Sequence, residues 1–109
     1  MELTPDELQQ MQAEYAKTLP EKIAKLEALK SRLETEAPDP EDLQHLQLSV
    51  HRLAGSASLY GYAELGRTAH GLDVNLSNIT SGQLPLAKEM LTEVDALAQY
   101  LRGLLPAAE

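Results

Sequence analysis

Apolar positions along this chain recur at steps of three and four, in five successive stretches. Leu8, Met11 and Tyr15 open the series, and Leu19, Ile23, Leu26 and Leu33 continue it, with Leu29 or Lys30 between the last two. The third stretch reads Leu43, Leu46, Val50, Leu53, Ala57, and the fourth Tyr62, Leu65, Ala69, Leu72, Leu76. The fifth reads Ala87, Met90 or Leu91, Val94, Leu97, Leu101, Leu104. Such steps leave one buried stripe on each of a set of helices, and no period-two alternation competes with them.

Punctuation between the stretches supports the same division. Thr4-Pro5-Asp6-Glu7 supplies a capping Thr, a Pro at the first helical position and a Glu placed to close a capping box. Thr18-Leu19-Pro20-Glu21 repeats the pattern and predicts a second start after a break near Pro20, and Asp39-Pro40-Glu41-Asp42 predicts a third with Asp39 as cap. The last start falls within Ser81-Gly82-Gln83-Leu84-Pro85. Gly61 separates the third stretch from the fourth and suits a left-handed residue that ends one helix before a reversal. The expected fold is all-α: an antiparallel four-helix bundle with a short additional N-terminal helix, formed by one domain over residues 1–109.

Composition narrows the class further. With four Tyr and no Phe or Trp, Leu and Ala must fill the core, which suits helices better than a sheet. No apolar run reaches membrane-spanning length, and no basic segment leads into an apolar one at the start. The absence of Cys rules out a disulfide framework and thiolate metal sites, and a cytoplasmic monomer is the simplest expectation. Seventeen acidic residues against nine Lys and Arg give a formal charge of −8, which disfavours nucleic acid and anionic lipid and points to a protein partner.

One histidine stands out once the third helix is turned through about 100° per residue. Leu43, Leu46, Val50, Leu53 and Ala57 define its core side, and His51 points well away from it, toward solvent. Its neighbours one turn away are Gln47, Leu48, Ala54 and Gly55. Gly55 sits in mid-helix, where Gly costs roughly 1 kcal/mol relative to Ala, and its missing side chain opens space beside the imidazole. Leu48 projects almost opposite the core stripe. Together these residues make a flat, partly apolar face around an accessible nucleophile. Neutral imidazole is a good nucleophile near neutral pH, and phosphoryl transfer asks a protein chiefly for positioning and charge compensation. Ser56 lies about 140° around the helix from His51, so it reads as a bond to backbone or an adjacent helix and not as a Ser–His pair. No second ligand joins His51 at metal spacing, so no metal site is expected, and His45 and His70 read as surface residues.

The segment His51-Arg52-Leu53-Ala54-Gly55-Ser56-Ala57, then Leu59-Tyr60-Gly61, Leu65 and Ala69-His70-Gly71-Leu72-Asp73, resembles the signature of histidine-containing phosphotransfer domains of two-component phosphorelays. The likeness covers about residues 46 to 73. It implies a phosphocarrier without ATPase or kinase activity of its own. His51 would accept a phosphoryl group from an aspartyl phosphate on a receiver domain, of a response regulator or hybrid sensor kinase, and pass it to another receiver. The receiver would supply the aspartate and Mg²⁺, so no cofactor is expected on this chain. The family pattern often has Lys three residues after the His, where this chain has Ala54. Arg52 and Arg67 are the only Lys or Arg between positions 33 and 87, and Arg67 is the expected substitute on the grounds of height in the bundle. The expected site is therefore His51 with Gln47, Leu48, Ala54, Gly55 and Arg67. The competing reading is a non-phosphorylated helical adaptor that binds a partner through the Leu48/Gly55 face.

Overall fold

The computed structural model describes residues 4–82 and 85–105. Five helices follow one another: α1 (Pro5–Ala16), α2 (Leu19–Leu33), α3 (Pro40–Leu59), α4 (Ala63–Thr80) and α5 (Lys88–Gly103). The all-α architecture is the expected one, and among the described residues there is no strand.

Two starts take the caps their sequences predict, though Glu7 meets the Thr4 hydroxyl and not the backbone N–H that a capping box uses. The Thr4 hydroxyl accepts the Glu7 N–H at 3.2 Å and donates to Glu7 Oε1 at 3.0 Å, while Asp39 Oδ1 accepts the Glu41 N–H at 2.9 Å. Each such cap satisfies an orphan helix donor and contributes about 1 kcal/mol. Thr18 behaves differently from the expected capping box. Its backbone is helical and its side chain caps nothing in α2; its hydroxyl instead donates to the Tyr15 carbonyl at 2.7 Å. The chain thus bends from α1 to α2 at Lys17–Thr18, with Pro20 inside the first turn of α2. The last helix starts at Lys88, beyond the segment expected to open it, of which Gln83 and Leu84 lie outside the described residues. Ala87 is its exposed N-cap rather than a stripe position, and Leu91, not Met90, is the buried member of that pair. In α2 the buried residue is Leu29 and not Lys30.

Leucine fills the core. Among the largest fully buried side chains are Leu19, Leu26 and Leu33 from α2, Leu46 and Val50 from α3, Leu65 and Leu76 from α4, and Val94, Leu97 and Leu101 from α5. Each such side chain is worth about 1.5–3 kcal/mol of burial. α1 lies across the end of the bundle where α3 turns into α4. There Tyr15 stacks on Tyr60 with ring centroids 4.8 Å apart, and its hydroxyl bonds Ser56 Oγ at 2.8 Å. Gln12 Nε2 donates to the Tyr60 carbonyl at 3.1 Å. Ser56 thus makes the contact with an adjacent helix that its position implied, and it also donates to the Leu53 carbonyl at 3.3 Å.

The α3–α4 reversal decides what faces what. Gly61 has φ +86°, the Gly61 N–H bonds the Ser58 carbonyl at 3.2 Å and the Tyr62 N–H bonds that of Ala57 at 2.8 Å. This is the Schellman pattern for which a glycine serves best. The two helices then run antiparallel: Gly66 stands against Ser58 and Ala54, and Asp73 against His51 and Gln47. The pairs Ser58–Gly66 and His51–Asp73 are both centred on residue 62, which fixes the register of the hairpin.

Candidate functional site

His51 stands on the outer side of α3, its side chain 65% exposed, while Leu46, Val50, Leu53 and Ala57 are buried behind it. The ring is nevertheless not loose. Its Nδ1 lies 2.8 Å from Asp73 Oδ2 on α4, and the other carboxylate oxygen accepts from Gln47 Nε2 at 2.7 Å. Asp73 is the single buried charged residue among those described, with 8% of its surface exposed. A buried carboxylate needs partners, and here it has two, one from each of two positions a turn apart on α3. An ionised carboxylate only accepts, so its partner is an Nδ1–H, and in the neutral ring that tautomer leaves the lone pair on Nε2.

Beside the ring, α3 and α4 enclose a shallow depression of about 400 Å³ that His51, Ala54 and Gly55 line from α3 and Arg67, His70 and Asp73 from α4. A Cβ built on Gly55 would meet nothing within 4 Å, so the space beside the imidazole is open, as the sequence implied. The close backbone approach occurs instead at Gly66, where a Cβ would run into Ser58 Oγ and lie 3.4 Å from the Ala54 carbonyl. Leu48 is outside the depression on the exposed flank of α3, 41% accessible.

Four of the six expected residues, His51, Ala54, Gly55 and Arg67, thus share one concavity. Gln47 is close by but half-buried, turned toward Asp73 and placed to hold that carboxylate. Arg67 was expected at the height of His51. The register puts Asp73 there, and Arg67 enters two turns away, about 9 Å along α4. His70, expected to be an ordinary surface residue, also lines the depression.

Asp73, which bonds both His51 and Gln47, is not among the six residues expected at the site. A signal for it existed: it neighbours Leu72 and is four residues from Ala69, on the buried side of α4, where an unpaired acid is costly.

Fold and site together define a helical bundle in which an exposed imidazole on one helix is held by a buried carboxylate on the next. The family model of the Hpt domain matches residues 2–104, and the chain belongs to that family. Hpt domains are phosphocarrier modules of phosphorelays and two-component signalling, without kinase activity of their own. No curated protein and no solved structure matches the chain. Among the described residues no helix is long and apolar enough to cross a membrane.

Proposed function

We propose that this chain is a phosphorelay intermediate in which His51 Nε2 takes a phosphoryl group from the aspartyl phosphate of one receiver domain and delivers it to the aspartate of another. The observation that carries this reading is the Asp73–His51 bond, which fixes the tautomer and aims the ring of an otherwise exposed side chain. In the forward step the Nε2 lone pair attacks phosphorus, an N–P bond forms, and the acyl P–O bond breaks. The receiver's aspartate leaves as a carboxylate. Nδ1 keeps its proton throughout, so the phosphorylated ring gains positive charge, and the Asp73 carboxylate 2.8 Å away offsets it. The reverse sequence of bond changes delivers the group to the second receiver. The divalent cation belongs to the receiver in this reading, and this chain contributes the nucleophile, its orientation and a docking face.

The α3–α4 surface suits that docking. Among the described residues, the large exposed apolar side chains Leu48, Leu59 and Val74 all lie on these two helices. Between residues 43 and 82, Glu64 and Asp73 balance Arg52 and Arg67, so the whole formal charge of −8 resides elsewhere on the chain. An acidic receiver site meets least repulsion on this face. A bundle that served only as an adaptor would have no use for a buried carboxylate bonded to an exposed imidazole, so the adaptor reading is the weaker one.

Incubation with a panel of phosphorylated receiver domains tests the proposal. At least one should transfer acid-labile label to the chain, and His51→Gln should remove that label while the circular dichroism spectrum is unchanged. Label that survives in a folded His51→Gln chain would assign the chemistry to another residue.

A further inference from the structure

We propose that His70 is the α4 side chain that holds the phosphoryl group once it is on His51, with Arg67 as a second, more distant donor; this rests on His51 being the acceptor. A phosphoryl group carries about two negative charges near neutral pH and three acceptor oxygens. Placed beside His51, it would sit near Asp73, a like charge, so the depression must supply donors to hold it. The titratable and charged groups that line this depression are His51, Asp73, Arg67 and His70. His51 and Asp73 are spent on each other, which leaves two.

Register ranks those two. Asp73 stands across from His51, so His70 lies one turn away, about 4.5 Å along the axis, and Arg67 two turns, about 9 Å. By the same register His70 faces the level of Ala54, a small uncharged side chain that also lines the depression and offers no donor. Any donor at that level must therefore come from α4. His70 is exposed and makes no side-chain hydrogen bond or ion pair among the described residues, so it can turn to a phosphoryl oxygen without giving up a native partner. Protonated or neutral, an imidazole presents at least one ring N–H. The chain thereby carries on α4 a donor that a basic residue at position 54 would have carried on α3.

The test uses the whole chain and the first receiver domain found to exchange phosphoryl groups with it, read as the equilibrium distribution of label between the two proteins. His70→Ala should shift that distribution toward the receiver by about tenfold, the size of one charge-assisted hydrogen bond. His70→Gln, which keeps an N–H donor without charge, should fall between. Arg67→Gln should shift it less than His70→Ala. Adding Ala54→Lys to His70→Ala should recover most of the lost retention from the opposite helix. In parallel, loading the chain with phosphoramidate, which needs no partner, should move the ring nitrogen resonances of His70 in the NMR spectrum. A loaded His51 with an unchanged distribution in His70→Ala and unmoved His70 resonances overturns this proposal and leaves the acceptor assignment standing. Label found on His70 itself, seen as phosphorylation that survives His51→Gln and disappears in His51→Gln/His70→Gln, also overturns it. A chain that accepts nothing on His51 from either donor sinks both.

Discussion

Asp73 separates orientation from charge in a way that two substitutions can read. Asp73→Ala removes the acceptor for the His51 Nδ1–H and for the Gln47 amide together. The ring is then free to take either tautomer and to rotate at 65% exposure, so the productive Nε2 lone pair is present for only part of the time. Asp73→Asn is gentler. Its amide oxygen can still accept from Nδ1, and its NH₂ can donate to Gln47 once the Gln47 amide flips, so geometry survives and only the charge opposite the phosphorylated ring is lost. A hydrogen bond to a charged group is worth about 1.5–3 kcal/mol, and about 1.4 kcal/mol is tenfold in rate. Asp73→Asn should therefore slow transfer by roughly 10- to 100-fold, and Asp73→Ala by more, because disorder adds to the lost charge. The rate is measured as single-turnover loss of label from a phospho-receiver, and the tautomer by the nitrogen shifts of His51. His51 is exposed and Gln47 only half-buried, so water can replace the carboxylate at both and neither variant should lose the fold. If Asp73→Ala transfers at the wild-type rate with the same tautomer, the carboxylate is a packing feature and the account of His51 orientation is wrong.

Other residues offer independent checks. Leu53→Ala, at 2% exposure, should cost about 2–5 kcal/mol in urea denaturation, whereas Leu48→Ala, at 41%, should stay within about 0.5 and instead slow transfer. Gly55→Leu should leave stability nearly unchanged yet block transfer, since its side chain enters open space beside His51. Gly66→Ala should change stability by less than about 1 kcal/mol in a thermal melt, because the Ser58 hydroxyl can rotate away and Ala is the better helix former; a loss well above that would show that the α3–α4 approach cannot yield. Burial raises the pKa of the Tyr15 hydroxyl, opposed by its bond to Ser56 and reinforced by Tyr62 and Tyr60. The folded state thus holds this proton where the unfolded chain releases it, so stability should fall as pH rises above about 10, and Tyr15→Phe should flatten that fall in urea midpoints taken at pH 8 and 10.5.

Much of the fold was legible because its signals are local. A stripe of Leu43, Leu46, Val50, Leu53 and Ala57 needs only the helical period to place His51 on the far side, and Asp39-Pro40 or Gly61 act through their own backbone. What failed was non-local or depended on competition. Thr18 had a free choice between capping α2 and bonding back to Tyr15, and the bend from α1 decided it. The height of Arg67 required the hairpin register to within one turn, and a helical turn is about 5.4 Å, more than a hydrogen bond tolerates. Gly55 and Gly66 look alike in sequence, yet one lies beside open space and the other against Ser58.

Register also explains why residues far from the imidazole matter to it. His51 rides on α3 and the carboxylate bonded to it on α4, so a slip of one residue between these helices would turn Asp73 through about 100° and carry it away from Nδ1. Leucine stripes resist such a slip only in part, because neighbouring leucines can exchange places at modest cost. The α3–α4 turn is held more firmly. Gly61 adopts a left-handed backbone with the Gln12 amide packed so close that an added Cβ would lie 3.0 Å from Nε2, and Tyr15 from α1 stacks on Tyr60 within the same turn. Helix α1 contributes nothing to the depression around His51, yet it clamps the one segment that sets which residue faces the ring. In the proposed mechanism α1 would act through that register, from the far end of the hairpin, and not by touching the ring.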